Sequence, residues 1–491
     1  MNRFFEVLPG TLSWLTLIAM VVVSWLFPVA AAVFIILFDV YWLLKTIFLS
    51  LHLRGSFRAM RRNLKIDWLQ KLGEAHFSWQ KMRHLIIFPM YNEPHALVRE
   101  SFAALTKANY PLGKFLVVLA IEARAGQDAK NTAEKIRGEF GDRFGAFLIT
   151  EHPANLPNEI PGKGSNETWA GRQVKEKIID SRNIPYEDVL VSVFDVDTQV
   201  LPEYFGILTH TFFSCPHPQA SSYQPVPLFT NNIYQAPALG RVIAFSATFW
   251  HLTQQSRPER LTTFSSHSMP FKALVEVGFW NTNIVSEDSQ IFWQCLIHFD
   301  GNWETVPVFY PVSMDANVAP TFWQTMKNLY KQQRRWAWGG AENIPYMLKG
   351  FRKNKRIPFR TKFYWAFNYI EGFHSWATNS LIIFSLGWLP IMLGDTVFKS
   401  SLLSYNLPRI TRTLMTIAMF GIISSSVLSI ILLPPKPTWF KRRHYFLYAV
   451  QWILTPLTLI VFGAFPALEA QTRAILGGKT RLGFWVTPKQ R

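Results

Sequence analysis

The sequence predicts an α/β domain, a mostly parallel Rossmann-like sheet with crossover helices, joined to α-helical transmembrane segments. Three observations carry this. Apolar runs long enough to cross a bilayer open the chain and recur in its last quarter. Between them, short apolar strands alternate with helix-length stretches. Charged residues make up only 17% of the 491 residues while aromatics reach 15%, whereas soluble proteins carry about 25% charged residues, so lipid contact is the simplest account of the composition.

Residues 1–51 read as a transmembrane hairpin. Two apolar runs, 11–27 and 29–51, flank Pro28, and each matches the roughly 20 helical residues that span a hydrocarbon core. A cleaved leader fits poorly, because the second run follows at once with no small-residue cleavage site. Asp39 falls inside the second run and is expected to face protein rather than lipid. Residues 52–80 follow as a basic juxtamembrane segment with Arg54, Arg58, Arg61, Arg62 and Lys65. This segment is expected to lie on the cytoplasmic membrane surface, which puts the following domain, 81–318, in the cytoplasm of a cell-membrane protein.

Within 81–318, strands are expected at His84–Phe88, Phe115–Ile121, Ala146–Thr150 and Val189–Phe194, with helices over Glu93–Ala108, Ala125–Phe140 and Glu167–Ser181 between them. That alternation implies parallel strands with crossovers. Residues 319–360 form interfacial helices, 361–466 the C-terminal membrane helices, and 467–491 a basic tail. Three apolar runs after residue 370 would leave the tail outside, yet its Arg473, Lys479, Arg481, Lys489 and Arg491 favour the inside. One run, either the first or the last, is therefore re-entrant or interfacial.

The net charge of +18 fits basic residues flanking membrane runs. Nucleic-acid binding is excluded by the lack of a Cys/His finger or a base-stacking aromatic stripe. Cys215 and Cys295 have no CxxC partners, so they suggest neither zinc nor, in a reducing compartment, a disulfide.

Ligands of parallel sheets bind beyond the carboxyl ends of the strands. There the sequence offers Tyr91 and Glu93, then Glu122, then Asp195 and Asp197. Convergence of acids from three strands is harder to attribute to chance than any one motif. The two aspartates flank an apolar residue, and their hard oxygen donors suit Mg²⁺ or Mn²⁺ bridging to a diphosphate. Pro161–Asn166 is not a P-loop; it is expected to be a loop presenting Lys163 and Asn166. Ser286-Glu287-Asp288 can supply a base for an acceptor hydroxyl, though acids at a helix start also serve as ordinary caps. Gln332-Gln333-Arg334-Arg335-Trp336 lies on an amphipathic stretch, where Arg335 can meet a diphosphate and Trp336 a sugar ring.

In this order PMYNEP at 89–94, DVD at 195–197, SED at 286–288 and QQRRW at 332–336 resemble the family 2 glycosyltransferases, in particular the membrane-integrated cellulose, chitin and hyaluronan synthases. The resemblance implies a GT-A fold and inverting transfer from a UDP- or GDP-sugar. Tyr91, Glu93, Glu122, Lys163, Asp195 and Arg335 would bind the donor, and Asp195 and Asp197 the metal. Asp288 would be the base, with Glu287, Gln332 and Trp336 at the acceptor. The tail, with Phe484, Val486, Thr487 and Lys489, resembles the gating loop of cellulose synthase. Ser286 stands for the family's Thr, and Glu122-Ala123-Arg124 departs from the usual aspartate pattern. Three functions follow as expectations: a polysaccharide synthase secreting its product through the membrane, a transferase adding one sugar to a lipid acceptor, or a non-catalytic membrane scaffold.

Overall fold

A computed structural model describes residues 2–483 and 485–487. Eight strands form one sheet: β1 (Arg83–Met90), β2 (Phe115–Glu122), β3 (Ala146–His152), β4 (Val189–Val193), β5 (Gln199–Val200), β6 (Ser221–Phe229), β7 (Ser268–Pro270) and β8 (Glu304–Met314). Their order is β3-β2-β1-β4-β7-β6-β8-β5. The first four are parallel, with Ile87 opposite both Val118 and Val193. β7 runs antiparallel to β4 and β6, while β6 and β8 are parallel to each other. The sheet is therefore mixed, with a parallel half formed by β1 to β4.

Alternate residues of the parallel strands feed two cores, as a two-residue repeat demands. Ile86, Phe88, Val117 and Leu119 meet α3 (His95–Leu105), α4 (Gly126–Phe140) and α6 (Tyr204–Ser214) on one face. Leu85, Ile87, Leu116 and Val118 meet α5 (Lys163–Val174) and α8 (Glu287–His298) on the other. Truncating one such residue, for example Ile87→Ala, costs about 2–5 kcal/mol.

Outside the sheet lie α1 (Asn2–Leu26), α2 (Pro28–Asn63), α7 (Ala238–Gln255), α9 (Phe322–Lys353), α10 (Phe359–Phe384), α11 (Leu402–Ile431) and α12 (Arg442–Leu476). α1, α2, α11 and α12 are long and apolar enough to cross a membrane, and α10 joins Leu386–Leu393 at a 48° bend to make a fifth candidate.

Three features differ from the sequence expectation. Residues 52–63 do not form a separate surface helix. They continue α2 into the sheet domain, where Leu53 and Met60 are buried with Val242 and Phe245 of α7; arginines are good helix formers and nothing there stops the helix. Residues 322–353 are one helix rather than several.

The third concerns α12, whose contacts tie it to the sheet domain as well as to the other long helices. Its start packs on the domain side, where Arg241 of α7 bonds Gln451 and lies over the Tyr448 ring. Phe462 packs with Ile243, Met326 and Leu329. Near its end Glu469 pairs with Arg334 of α9. Its second half also packs against α1 and α10, where Trp14 donates to Thr472 and Gln471 to the Phe373 carbonyl, and the outer face carries exposed Phe446, Ile453 and Leu476.

Candidate active site

The carboxyl ends of β1, β2 and β4 open into one cavity of about 1440 Å³. Tyr91, Glu93, Glu122, Lys163, Asp195, Asp197, Glu287, Asp288, Gln332, Arg335 and Trp336 all line it, together with Val486 and Thr487 of the tail. Phe484 and Lys489 lie outside the described residues.

The expected loop around Lys163 is the first turn of α5. Gly162, at φ +152°, makes the turn into it. Asn166 lines the cavity beside it, while its Nδ2 donates to the Ala120 carbonyl of β2 at 2.8 Å and ties the helix start to the sheet. Gly164 permits the next contact, because a Cβ there would fall 2.9 Å from the Glu287 Cβ.

This packing makes Lys163 the hub of a buried charge cluster. Its Nζ lies 2.9 Å from Asp195 Oδ1, 3.5 Å from Glu167 Oε1 and 3.8 Å from Glu287 Oε1. Burial pulls the ammonium down, but the surrounding carboxylates outweigh it and hold its pKa well above the ordinary value. Burial pushes Glu167 up to about 8, with Lys163 drawing it partly back. Glu287 is raised as well, by burial and by neighbouring Asp288. Glu287 is 2% exposed and turned toward Lys163.

Asp197 is also nearly wholly buried. Its Oδ2 accepts from the backbone N–H of Asp315 at 3.2 Å, and Asn231 Nδ2 bridges the Asp197 carbonyl and Asp315 Oδ1, each at 3.0 Å. Asp315 lines the cavity too and escaped the sequence reading. It follows β8 just as Asp195 follows β4, but Pro307 and Pro311 disguise β8, since proline argues against a sheet interior. Among the described residues no three His, Cys, Asp or Glu side chains gather to hold a metal. Asp195 and Asp197 nevertheless fit a hard cation that takes its remaining oxygens from a substrate, as Mg²⁺ commonly does.

At the end of β2, Arg124 grips Glu122 through Nε at 2.5 Å and Nη2 at 3.1 Å and lies 4.5 Å over the Tyr91 ring. On the opposite wall, Trp336 of α9 stands 6.2 Å from Phe229, which leads to His251 and Phe264. Burial holds His251 neutral, at about 3.

The cavity continues between the membrane helices, where Asp39, Trp42, Lys45, Glu371 and Asn379 line it. Asp39 is 5% exposed, as expected for an acid turned to protein, and lies about 16 Å along α2 from Pro28 by helical rise. Lys45 Nζ meets Glu371 at 2.9 Å and Arg260 meets the other Glu371 oxygen at 3.6 Å, linking α2, α10 and the domain.

A family model described as "Glycosyl transferase family group 2" matches residues 190–464. The poly-beta-1,6-N-acetyl-D-glucosamine synthase of Staphylococcus aureus is 33% identical over 86 residues, 18% of this chain and 19% of that protein; the match thus spans about a fifth of the curated relative. Two solved structures are similar. The mannosyltransferase PcManGT from Pyrobaculum calidifontis, in complex with GDP-Man and Mn²⁺, is 14% identical with TM-score 0.44, covering 81% of this chain and 99% of that one. S. aureus TarS 1–349, in complex with UDP-GlcNAc, is 12% identical with TM-score 0.39, covering 70% of this chain and 90% of that one.

Proposed function

The chain belongs to glycosyl transferase family group 2, and from that premise we propose that it transfers a sugar, with inversion, from a nucleoside-diphosphate sugar to a saccharide hydroxyl where the sheet domain meets the membrane helices. One observation carries the reading: the four motifs, up to 247 positions apart, line a single cavity. Tyr91, Glu93 and Glu122 receive the nucleoside, while Lys163 and Arg335 face its diphosphate. Trp336 offers its ring to the acceptor sugar. Asp288 takes the proton from the acceptor hydroxyl as that oxygen attacks the anomeric carbon and the bond to the diphosphate breaks.

Asp195 and Asp197 would hold a divalent cation, which when bound neutralises charge on the departing diphosphate. The charge balance supports this. Lys163 pairs with Asp195 beside the buried Glu167 and Glu287, so an entering diphosphate competes with Asp195 for that lysine, and a divalent cation would offset the added negative charge.

The continuation of the cavity past Trp42 to Asp39 and Asn379 favours a polysaccharide product that leaves between the membrane helices. Purified enzyme given a panel of labelled nucleotide sugars tests both parts. Diphosphate release with one donor, together with long water-soluble chains, is expected. A labelled product that partitions wholly into organic solvent would make the acceptor a lipid. No release with any donor would refute the transfer itself.

A further inference from the structure

The helix that carries Gln332, Arg335 and Trp336 does more than line the acceptor side. Two turns beyond Trp336, its Glu342 reaches the strand-like approach to α8. The carboxylate accepts from the backbone N–H of Val285 with both oxygens at 3.1 Å and from the N–H of Ser286 at 3.0 Å. It also accepts from Ser286 Oγ at 2.5 Å and from Trp338 Nε1 at 2.9 Å. Burial raises this carboxyl, and the donors from Ser286, Val285 and Trp338 pull it back.

The next residue, Asn343, is wholly buried and holds the other side of the same turn. Its Nδ2 donates to Ser289 Oγ at 2.8 Å and to Tyr369 Oη of α10 at 3.1 Å, and its Oδ1 accepts from Gln290 Nε2 at 3.0 Å. Adjacent residues of one helix therefore grip 285–286 and 289–290, leaving Asp288 bracketed between two fixed points. α10 can approach this closely because residue 340 is glycine; a Cβ there would fall 2.5 Å from the Phe373 ring.

We infer that Glu342 and Asn343 are positioning residues that lock the Asp288 carboxylate in register with the acceptor wall at Trp336. This rests on Asp288 being the base. Neither residue touches the reacting atoms in this account; both act through the backbone and side chains on either side of Asp288. Misplacement of a reacting group by about 1 Å is enough to cost ~10²-fold in rate. A rigid link between base and acceptor wall protects against that error, because the two can only move together.

The experiment measures transfer by Glu342→Gln and Asn343→Asp, changes that keep volume but reverse one hydrogen-bonding group each, alone and in an Asp288→Asn background. In the otherwise native enzyme each should lower kcat by about 10- to 100-fold, with donor KM and nucleoside-diphosphate affinity within about twofold. In the Asp288→Asn background neither should lower the residual rate further, since there is no base left to position. Glu342→Asp, which keeps the carboxylate, should recover part of the rate.

Loss by the same factor in both backgrounds, or a raised donor KM at unchanged kcat, would overturn the inference in favour of a general structural role. If Asp288→Asn itself keeps the native rate, the assignment of the base fails instead, and the two failures are told apart by that single variant.

Discussion

Glu167 sits wholly buried beside Lys163 with neither carboxylate oxygen hydrogen-bonded, and this makes folding stability depend on pH in a predictable direction. Its pKa rises from the ordinary 4.5 to about 8 in the fold. Between those values the folded state holds a proton that the unfolded chain has released, so stability falls as pH rises from 4.5 to about 8 and is flat in this respect above that. At about 1.4 kcal/mol per pH unit, the penalty reaches at most ~5 kcal/mol. Glu167→Gln removes the titrating group while keeping its shape. Below pH 8 it gives up little of the Lys163 attraction, because the native glutamate is then neutral. Glu287 retains its own share of the pH dependence, so the variant flattens the profile without abolishing it. Thermal unfolding in detergent, followed by tryptophan fluorescence, should give matched Tm values near pH 5 and a variant more stable by on the order of 5 °C near pH 8. A gap that stays constant from pH 5 to pH 8.5 would refute the argument.

Other outcomes follow from the site. Asp195→Ala and Asp197→Ala should each abolish the turnover that added Mg²⁺ or Mn²⁺ supports, read as diphosphate release against an EDTA-treated control. Asp288→Asn should keep donor binding, measured by calorimetry, while transfer falls by roughly 10³-fold or more, the scale expected when an essential base is lost. Trp336→Ala should raise acceptor KM by about tenfold and leave donor KM unchanged, as loss of a stacking face predicts. Truncation after Gly483 removes the segment whose Val486 and Thr487 line the cavity; kcat should fall about tenfold with donor affinity retained, in line with a gating segment.

The parts of this architecture that the sequence made legible are those where chemistry and period coincide. β1, β2 and β4 are short, mainly apolar runs that lead into Tyr91 and Glu93, Glu122, and Asp195, so these strands and the polar residues at their ends could be read directly. β6 and β8 could not, because Pro225, Pro227, Pro307 and Pro311 break the strand pattern, and Asp315 was missed with them. Glu167 gave no signal of its own: on paper it is one of several helix acids, and only the close approach at Gly164 buries it. Glu342 and Asn343 are silent for a similar reason, since their partners lie 53 to 57 positions away. Hydropathy also reports how long and apolar a helix is, not where its two ends go. α12 passes that test, and only the contacts of Tyr448, Gln451 and Glu469 show that it also packs on α7 and α9.

α1, α2, α11 and α12 are each long and apolar enough to traverse a bilayer, and bent α10 makes a fifth, but side-chain contacts decide which ends lie together. The extremities meet: Glu6 pairs with Arg481, and Arg3 donates to the Ile475 carbonyl. A reporter enzyme spliced ahead of Arg3 and another spliced after Gly483 would therefore sense the same compartment. A protease able to clip one in sealed vesicles would reach the other.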